Sequence, residues 1–211
     1  MAMQIENWRE DHKEKLLERK LLGEIKTSLE QDLTFLSETI LPRATEVITA
    51  SEFLLNQIYY RYDFHDSIQK HANKLEYGIE FEPRTSAFEN HKSTDINLIS
   101  NDDLRLSIVE LFDFEYQRTL RIIDISVNTY RKQHLLPYLT GHMEYHLGLD
   151  EKNEIQSSLY IPEEMLNTTE FINILSTINT SFKSTFYRLV GLENLIMRLI
   201  EDIESELNLA N

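Results

Sequence analysis

Cysteine is absent from this sequence of 211 residues, and glycine and proline occur only five and four times. Without cysteine the chain has no disulfides, no thiolate nucleophile and no metal site built on cysteine. Few glycines and prolines leave few positions for tight turns, which favours a small number of long helices over a sheet. Apolar runs are also short, and none approaches the roughly 18 residues that cross a bilayer.

Positive charge is scarce as well, because 21 lysines and arginines face 36 aspartates and glutamates, for a formal net charge of −15. Such a field repels phosphate backbones, so we expect no nucleic-acid partner. The remaining composition, with 41% hydrophobic and 27% charged residues, is ordinary for a folded protein. A chain of this length buries a sizeable core, and we predict a single helical domain over residues 1–211.

Apolar residues recur at spacings of three and four along most of the chain, which predicts helices. The first helix runs from Ile5 to Leu41, and Pro42 should break or kink it because proline lacks an N–H and clashes with the preceding turn. A second helix is predicted over residues 43–62 and a short one near Asp66–Leu75. The apolar stripe of the first helix consists of Leu22, Ile25, Leu29, Leu33, Leu36 and Ile40.

Polar residues mark two further helix starts in the middle of the chain. Ser86 and Glu89 have the spacing of a capping box, in which each side chain satisfies a free backbone amide. Residues 100–103 (SNDD) are expected to cap a long helix that ends near Pro137. Its apolar stripe consists of Val109, Phe112, Tyr116, Leu120, Ile123, Val127 and Tyr130.

The last long helix should begin at Thr168 or Thr169, either of which can cap it, and continue for roughly 38 residues. Residues 138–167, which precede it, have no regular periodicity and are predicted to form an irregular connection. Together these elements predict an all-α fold. We expect an antiparallel bundle of about four major long helices, with a short helix and irregular connections.

One sequence segment has ligand types suited to a metal. His142 and His146 are four residues apart with Glu144 between them, so one face of a helix would present both imidazoles. The pattern differs from that of zinc proteases, in which glutamate directly follows the first histidine. Glycines flank the segment and weaken a helix there. A structural role for these residues is the preferred interpretation, with a metal-dependent hydrolase as the last alternative, and no cofactor is expected.

An aromatic cluster ends the second predicted helix. Tyr59, Tyr60 and Tyr62 surround Arg61, and aromatic rings with one cation could line a pocket for an anionic small molecule. Aromatic residues in such a place more often fill the end of a bundle. For that reason a small-molecule site ranks second among the hypotheses for the function. It would lie near Tyr59–Phe64 or in the irregular residues 138–167.

Two parts of the first half of the chain carry a family resemblance. Residues 2–10 read AMQIENWRE and lead through a Lys/Glu-rich stretch to LLGEIK at 21–26, while residues 85–94 read TSAFENHKST and are followed by NLISNDDLR at 97–105. These segments resemble the bacterial family labelled domain of unknown function 6090. In that family one N-terminal membrane helix ends in Ala-x-Gln-Ile/Val-x-x-Trp and continues directly into a long charged helix.

The resemblance implies a location as well as a fold. It implies that residues 1–20 are the membrane-proximal stalk portion of the first helix, with Ile5, Trp8 and Arg9 close to the bilayer surface, where indole rings and cations are favoured. It also implies that the membrane helix of the family would precede residue 1. Because the family's N-terminal segment is usually basic, the positive-inside rule implies a single-pass protein of the cytoplasmic membrane with this domain on the periplasmic side. The family supplies no catalytic residues.

The first hypothesis is accordingly a non-catalytic, membrane-tethered extracytoplasmic module for interaction or sensing. We expect a protein partner or self-association, because the half-polar helix over Glu6–Lys20 cannot pack deeply on its own chain. No glycine-rich phosphate loop, nucleophile elbow or kinase signature is present in the sequence.

Overall fold

The computed structural model describes residues 2–61, 66–92, 96–142, 144–149, 152–160 and 162–209. Helices dominate this part of the chain, and the predicted all-α class with several long helices is confirmed. The helices are α1 (Ala2–Phe35), α2 (Leu41–Tyr60), α3 (Asp66–Lys74), α4 (Ser86–His91), α5 (Asp102–Glu110), α6 (Tyr116–Ile122), α7 (Leu136–His142), α8 (Glu163–Leu166) and α9 (Thr169–Leu209), with strands β1 (Glu144–Leu149) and β2 (Ile155–Tyr160).

The chain forms two compact units, each of which gathers distant stretches of sequence. Unit 1 contains Met1–Thr39, Phe81–Leu120 and Leu189–Asn211, and unit 2 contains Ile40–Glu80 and Arg121–Arg188. The interpretation of residues 1–211 as a single domain stays a prediction. No helix in the described part of the chain is both long and apolar enough to cross a membrane.

Proline does not end the helical path where the sequence predicted. Pro42 is the second residue of α2, and the five residues before α2, Leu36–Ile40, form a π-helical segment. Pro137 occupies the same place in α7 after the π-helical segment Arg131–Leu135, so the predicted end near Pro137 is wrong and the helix reaches His142. Proline is tolerated in a first helical turn, and the wider π turn relieves the contact between its ring and the preceding carbonyls.

Two of the three predicted caps form. The side chain of Asn101 accepts a hydrogen bond from the Leu104 N–H at 3.1 Å, and Thr168 Oγ1 accepts one from the Phe171 N–H at 3.2 Å. The capping box at Ser86 is wrong, because Ser86 is already the first residue of α4 and Thr85 precedes it without a side-chain cap. The Ser86 hydroxyl is therefore one position too far into the helix to cap it.

The irregular connection predicted for residues 138–167 contains an antiparallel β-hairpin. Strand β1 pairs with β2 in a register that sets Leu149 opposite Ile155 and Leu147 opposite Ser157. The loop between the strands holds Asn153 at φ 61°, a left-handed conformation that asparagine tolerates better than most residues. The alternation of Leu147 and Leu149 with polar or small residues has the period of a strand, so the signal was present in the sequence.

Buried side chains form a core in each unit. In unit 1 the buried residues come from 1–39, 81–120 and 189–209, and include Leu21, Leu22, Ile25, Leu29, Leu36, Phe88, Ile108, Leu111, Leu189, Ile196 and Ile203. In unit 2 they include Val47, Ala50, Leu54, Ile68, Leu75, Val127, Leu135, Leu139, Leu175, Ile178 and Phe182.

Polar contacts order the connection that follows α3 in unit 2. The Asn128 side chain donates to the Ile79 carbonyl at 2.7 Å and accepts from the Ile79 N–H at 3.3 Å. Arg131 donates to the Glu76 carbonyl at 2.7 Å, and its guanidinium passes so close to Gly78 that a side chain there would clash with it at 2.9 Å. Backbone groups outside helices need such partners, so these contacts hold residues 76–79 in place without secondary structure.

Candidate functional site

The predicted aromatic cluster lies at the C-terminal end of α2, on the surface of unit 2. The side chains of Tyr59 and Tyr60 are largely exposed, and their rings meet edge to face with centroids 4.9 Å apart. Arg61 adopts a left-handed conformation at φ 54° and its N–H donates to the Ile58 carbonyl, which ends the helix. Tyr62 lies outside the described residues. Ligand binding here stays a prediction, although rings this exposed provide surface rather than pocket wall.

The three residues weighed as metal ligands do not share a helix. His142 is the last residue of α7, where its ring stacks on Tyr138 with centroids 4.3 Å apart and its Nδ1 lies 3.0 Å from the Tyr138 carbonyl oxygen. Glu144 and His146 belong to β1. Among the residues that the structure describes, no three or more histidines and acids come together in a way that could hold a metal ion.

The residues assigned to the membrane-proximal end, Ile5, Trp8 and Arg9, all lie in α1. The side chain of Arg9 is exposed, and those of Ile5 and Trp8 fall outside the description. Their position near a bilayer stays a prediction.

A feature that the sequence did not reveal is a buried charge in unit 1. The side chain of Asp32 in α1 has no exposed surface. Its two oxygens accept hydrogen bonds from the Arg84 backbone N–H at 3.1 Å each, and one accepts a further bond from Arg84 Nη1 at 3.0 Å. The other accepts from the Tyr116 hydroxyl at 2.8 Å. A buried carboxylate is stable only when paired and hydrogen-bonded in this way.

Aromatic rings surround the Tyr116 side of this cluster. Phe112 stacks on Phe88 with centroids 4.6 Å apart and meets Tyr116 edge to face at 5.4 Å. The ring of Phe81 also lies near Tyr116, with centroids 6.1 Å apart. Asp32 therefore links α1, the loop before α4 and the first residue of α6 inside an apolar shell.

The chemistry open to Asp32 is limited by its burial. A carboxylate with no exposed surface cannot contact a substrate, so it acts by holding three segments together. Arg84, which is half exposed, borders an open groove of about 500 Å³ that Glu30 and Glu38 also line. These two acids oppose the binding of an anion to the free edge of the guanidinium.

Burial, together with the negative charge of Asp32, raises the pKa of Tyr116 well above its ordinary value, so the phenol keeps its proton in the folded protein. In the unfolded chain the same phenol ionises at about pH 10. Above that pH the unfolded state binds fewer protons than the folded state, and the free energy of unfolding falls by about 1.4 kcal/mol per pH unit through this residue alone.

Replacement of Tyr116 by phenylalanine should therefore have an effect that depends on pH. Near neutral pH we expect Tyr116→Phe to lower the free energy of unfolding by about 1–2 kcal/mol, because Asp32 loses a donor. As the pH rises above about 10, the difference in the free energy of unfolding between the variant and the wild type should shrink. Only the wild type loses stability through this residue. Urea unfolding at several pH values measures the free energy of unfolding of both proteins as a function of pH. If the two curves run parallel above about pH 10, the folded protein does not keep the Tyr116 phenol protonated.

Unit 2 contains an open groove of about 660 Å³ between α7 and the start of α9. Tyr138 lies beneath it, buried and hydrogen-bonded through its hydroxyl to Thr168 Oγ1 at 2.7 Å. The exposed side chains of His134, His142 and Glu170 stand around it. The groove offers an aromatic base and polar walls, and it lies where the predicted ligand region 138–167 begins. Binding of a small molecule there stays a prediction.

The hairpin of unit 2 exposes apolar side chains on one face. Residues at alternate positions share a face of a strand, and the register places Leu147, Leu149 and Ile155 together. Their side chains are 77%, 67% and 76% exposed. Scattered single apolar residues are normal on a surface, but neighbouring ones on a sheet face are characteristic of interaction sites.

Comparison with known proteins yields no match at any level, whether family models, curated proteins or solved structures are searched.

Proposed function

We propose that this protein is a non-catalytic interaction module, tethered to the outer side of the cytoplasmic membrane by a helix that precedes the described chain. The observation that carries the interaction role is the apolar hairpin face of Leu147, Leu149 and Ile155 in unit 2. The exposed rings of Tyr59 and Tyr60 add to the apolar surface of the same unit. Exposed tyrosine and aliphatic side chains of this kind favour a protein partner.

The location rests on the resemblance of residues 2–10 and 85–105 to the membrane-anchored family. It is consistent with the charge pattern of α1, since residues 9, 10 and 12–17 are exposed and mostly charged. Such a helix surface suits a segment that stands in water between a membrane and a folded unit.

The experiment that tests the proposal uses the full-length product of the native gene in its own cells. We expect the protein to remain in the membrane fraction after a carbonate wash, and to be cut by protease added to spheroplasts. A cysteine introduced at the exposed Leu147, in a chain that has none, supplies a site for a photo-crosslinker. Recovery of the protein in the cytosol would overturn the location, and the absence of a crosslinked adduct to another protein would overturn the interaction role.

A further inference from the structure

In the described part of the chain, strand β1 of the hairpin has a second strand on one edge only. It pairs with β2 on one side, and among the described residues neither strand pairs with any other strand. Helix α3 packs against β2. Glu144 and residues 147–149 of β1 are exposed.

The edge also lacks the features by which proteins prevent strands from pairing. Proline, inward-pointing charges and lysine on an edge strand block the addition of another strand. The residues of β1, EYHLGL, include no proline and no lysine, and the one formal charge is that of Glu144 at the first position. A two-stranded sheet is also marginally stable in water and gains from a third strand.

The charge around the hairpin selects among the possible occupants. Residues 144–164 contain six acidic residues against the single basic residue Lys152, and the whole chain has a formal net charge of −15. A second copy would bring two strongly acidic hairpins together, which Coulomb repulsion opposes. A cationic segment from another protein would be attracted to the same surface.

We propose that β1 accepts an extended segment of a basic partner protein as a third strand, with alternate apolar side chains of that segment covering Leu147 and Leu149. Backbone hydrogen bonds to the outer edge of β1 supply affinity, and the apolar face with its acidic surroundings supplies selectivity. This inference rests on the proposed interaction role and names the chemical class of the partner.

A synthetic peptide in which valine and lysine alternate is a suitable probe, used with the purified chain. Two control peptides carry serine in place of valine or glutamate in place of lysine. By fluorescence polarisation we expect the valine–lysine peptide to bind and the controls to bind at least about tenfold more weakly, because one lacks apolar contacts and the other is repelled. Amide hydrogen exchange should slow in Glu144–Leu149 when the valine–lysine peptide is bound.

Two matched variants separate pairing at the hairpin from general attraction between charges. Leu147→Lys removes an apolar contact and adds a positive charge on the hairpin, whereas Ile125→Lys adds the same charge at another exposed apolar residue of unit 2. We expect Leu147→Lys to weaken binding of the valine–lysine peptide by about tenfold or more, and Ile125→Lys to weaken it by less than about twofold. Both side chains are exposed, so neither change should disturb the fold, which circular dichroism checks.

Several results would overturn the proposal. In the binding experiments, these are a lack of binding by the valine–lysine peptide, equal binding of the serine–lysine and valine–lysine peptides, or equal effects of the two variants. In light scattering, the contradicting result is a dimer that Leu147→Lys converts to a monomer. These outcomes are independent of the membrane fractionation and crosslinking in cells. Failure of the strand-pairing inference is therefore distinguishable from failure of the interaction role itself.

Discussion

Asp32→Asn should be among the most destabilising single changes in unit 1, lowering the free energy of unfolding by about 3 kcal/mol or more. The carboxylate takes hydrogen bonds from the backbone and side chain of Arg84 and from Tyr116. An amide in its place turns one acceptor into a donor. The Arg84 backbone N–H contacts both oxygens and keeps a partner, but either the Arg84 guanidinium or the Tyr116 hydroxyl loses its acceptor. Each unsatisfied group of this kind costs about 1–3 kcal/mol.

Because Arg84 is half exposed, the loss of stability in Asp32→Asn has an upper limit. Its guanidinium can turn to water when the carboxylate is lost, so the cost of a fully buried unpaired cation does not arise. Most of the loss therefore comes from the buried Tyr116 hydroxyl and from the weakening of the charge-assisted hydrogen bonds that the carboxylate accepted.

The measurement is urea unfolding at neutral pH, with Asp202→Asn as the matched control. Asp202 is an exposed aspartate in the part of α9 that belongs to unit 1. We expect its replacement to change the free energy of unfolding by less than about 0.5 kcal/mol. If the two aspartates prove equally tolerant of replacement, Asp32 does not hold unit 1 together.

The sequence pattern was sufficient to predict the helices but not this charge. The predicted stripe of α1 continued from Leu29 to Leu33 to Leu36, whereas the structure buries Asp32 and leaves Leu33 half-buried. Steps of three and four are equally compatible with one helix face, so hydrophobicity alone selected the leucine. Asp32 is buried because Arg84 and Tyr116, which lie 52 and 84 residues away in the sequence, converge on it. Periodicity within one helix contains no information about such partners.

The same limit applies to the helical run after Asn101. Four of the predicted stripe residues, Phe112, Tyr116, Ile123 and Val127, are buried. Between them the structure buries Thr119 and leaves Leu120 half-buried. The π-helical segments Leu111–Glu115 and Ile123–Thr129 alter the rotation per residue, so a constant period of 3.6 cannot follow the buried face through them.

The candidate interaction surface is harder to predict from the sequence than the helices are. The hairpin strands are only six residues long, and the sequence predicts an irregular connection over residues 138–167 because no regular periodicity extends through it. Alternating Leu147 and Leu149 gave a weak strand signal, but the exposure of that face depends on what packs against it. Only the fold shows that α3 packs against β2 and leaves the three apolar side chains in water.

Phe112→Ala should be the other strongly destabilising change, with an expected loss of about 3–5 kcal/mol in the free energy of unfolding. The Phe112 side chain is 2% exposed, stacks on Phe88 and touches Tyr116 edge to face. Truncation to alanine loses the transfer free energy of the ring and leaves a cavity lined by the remaining aromatic rings. Loss of the ring pairs adds about 0.5–1.5 kcal/mol to the effect of the buried area.

Phe114→Ala is a control that makes the same chemical change two residues later in the same π-helical segment. The Phe114 side chain is 59% exposed, so its removal should alter the free energy of unfolding by about 0.5 kcal/mol or less. Because helix propensity and denatured-chain effects are closely matched between the two variants, the difference between them isolates the packing of the Phe88–Phe112–Tyr116 cluster. Urea unfolding of both proteins measures this difference. A value below about 1 kcal/mol would mean that the cluster is not the packed centre of unit 1 that its ring distances indicate.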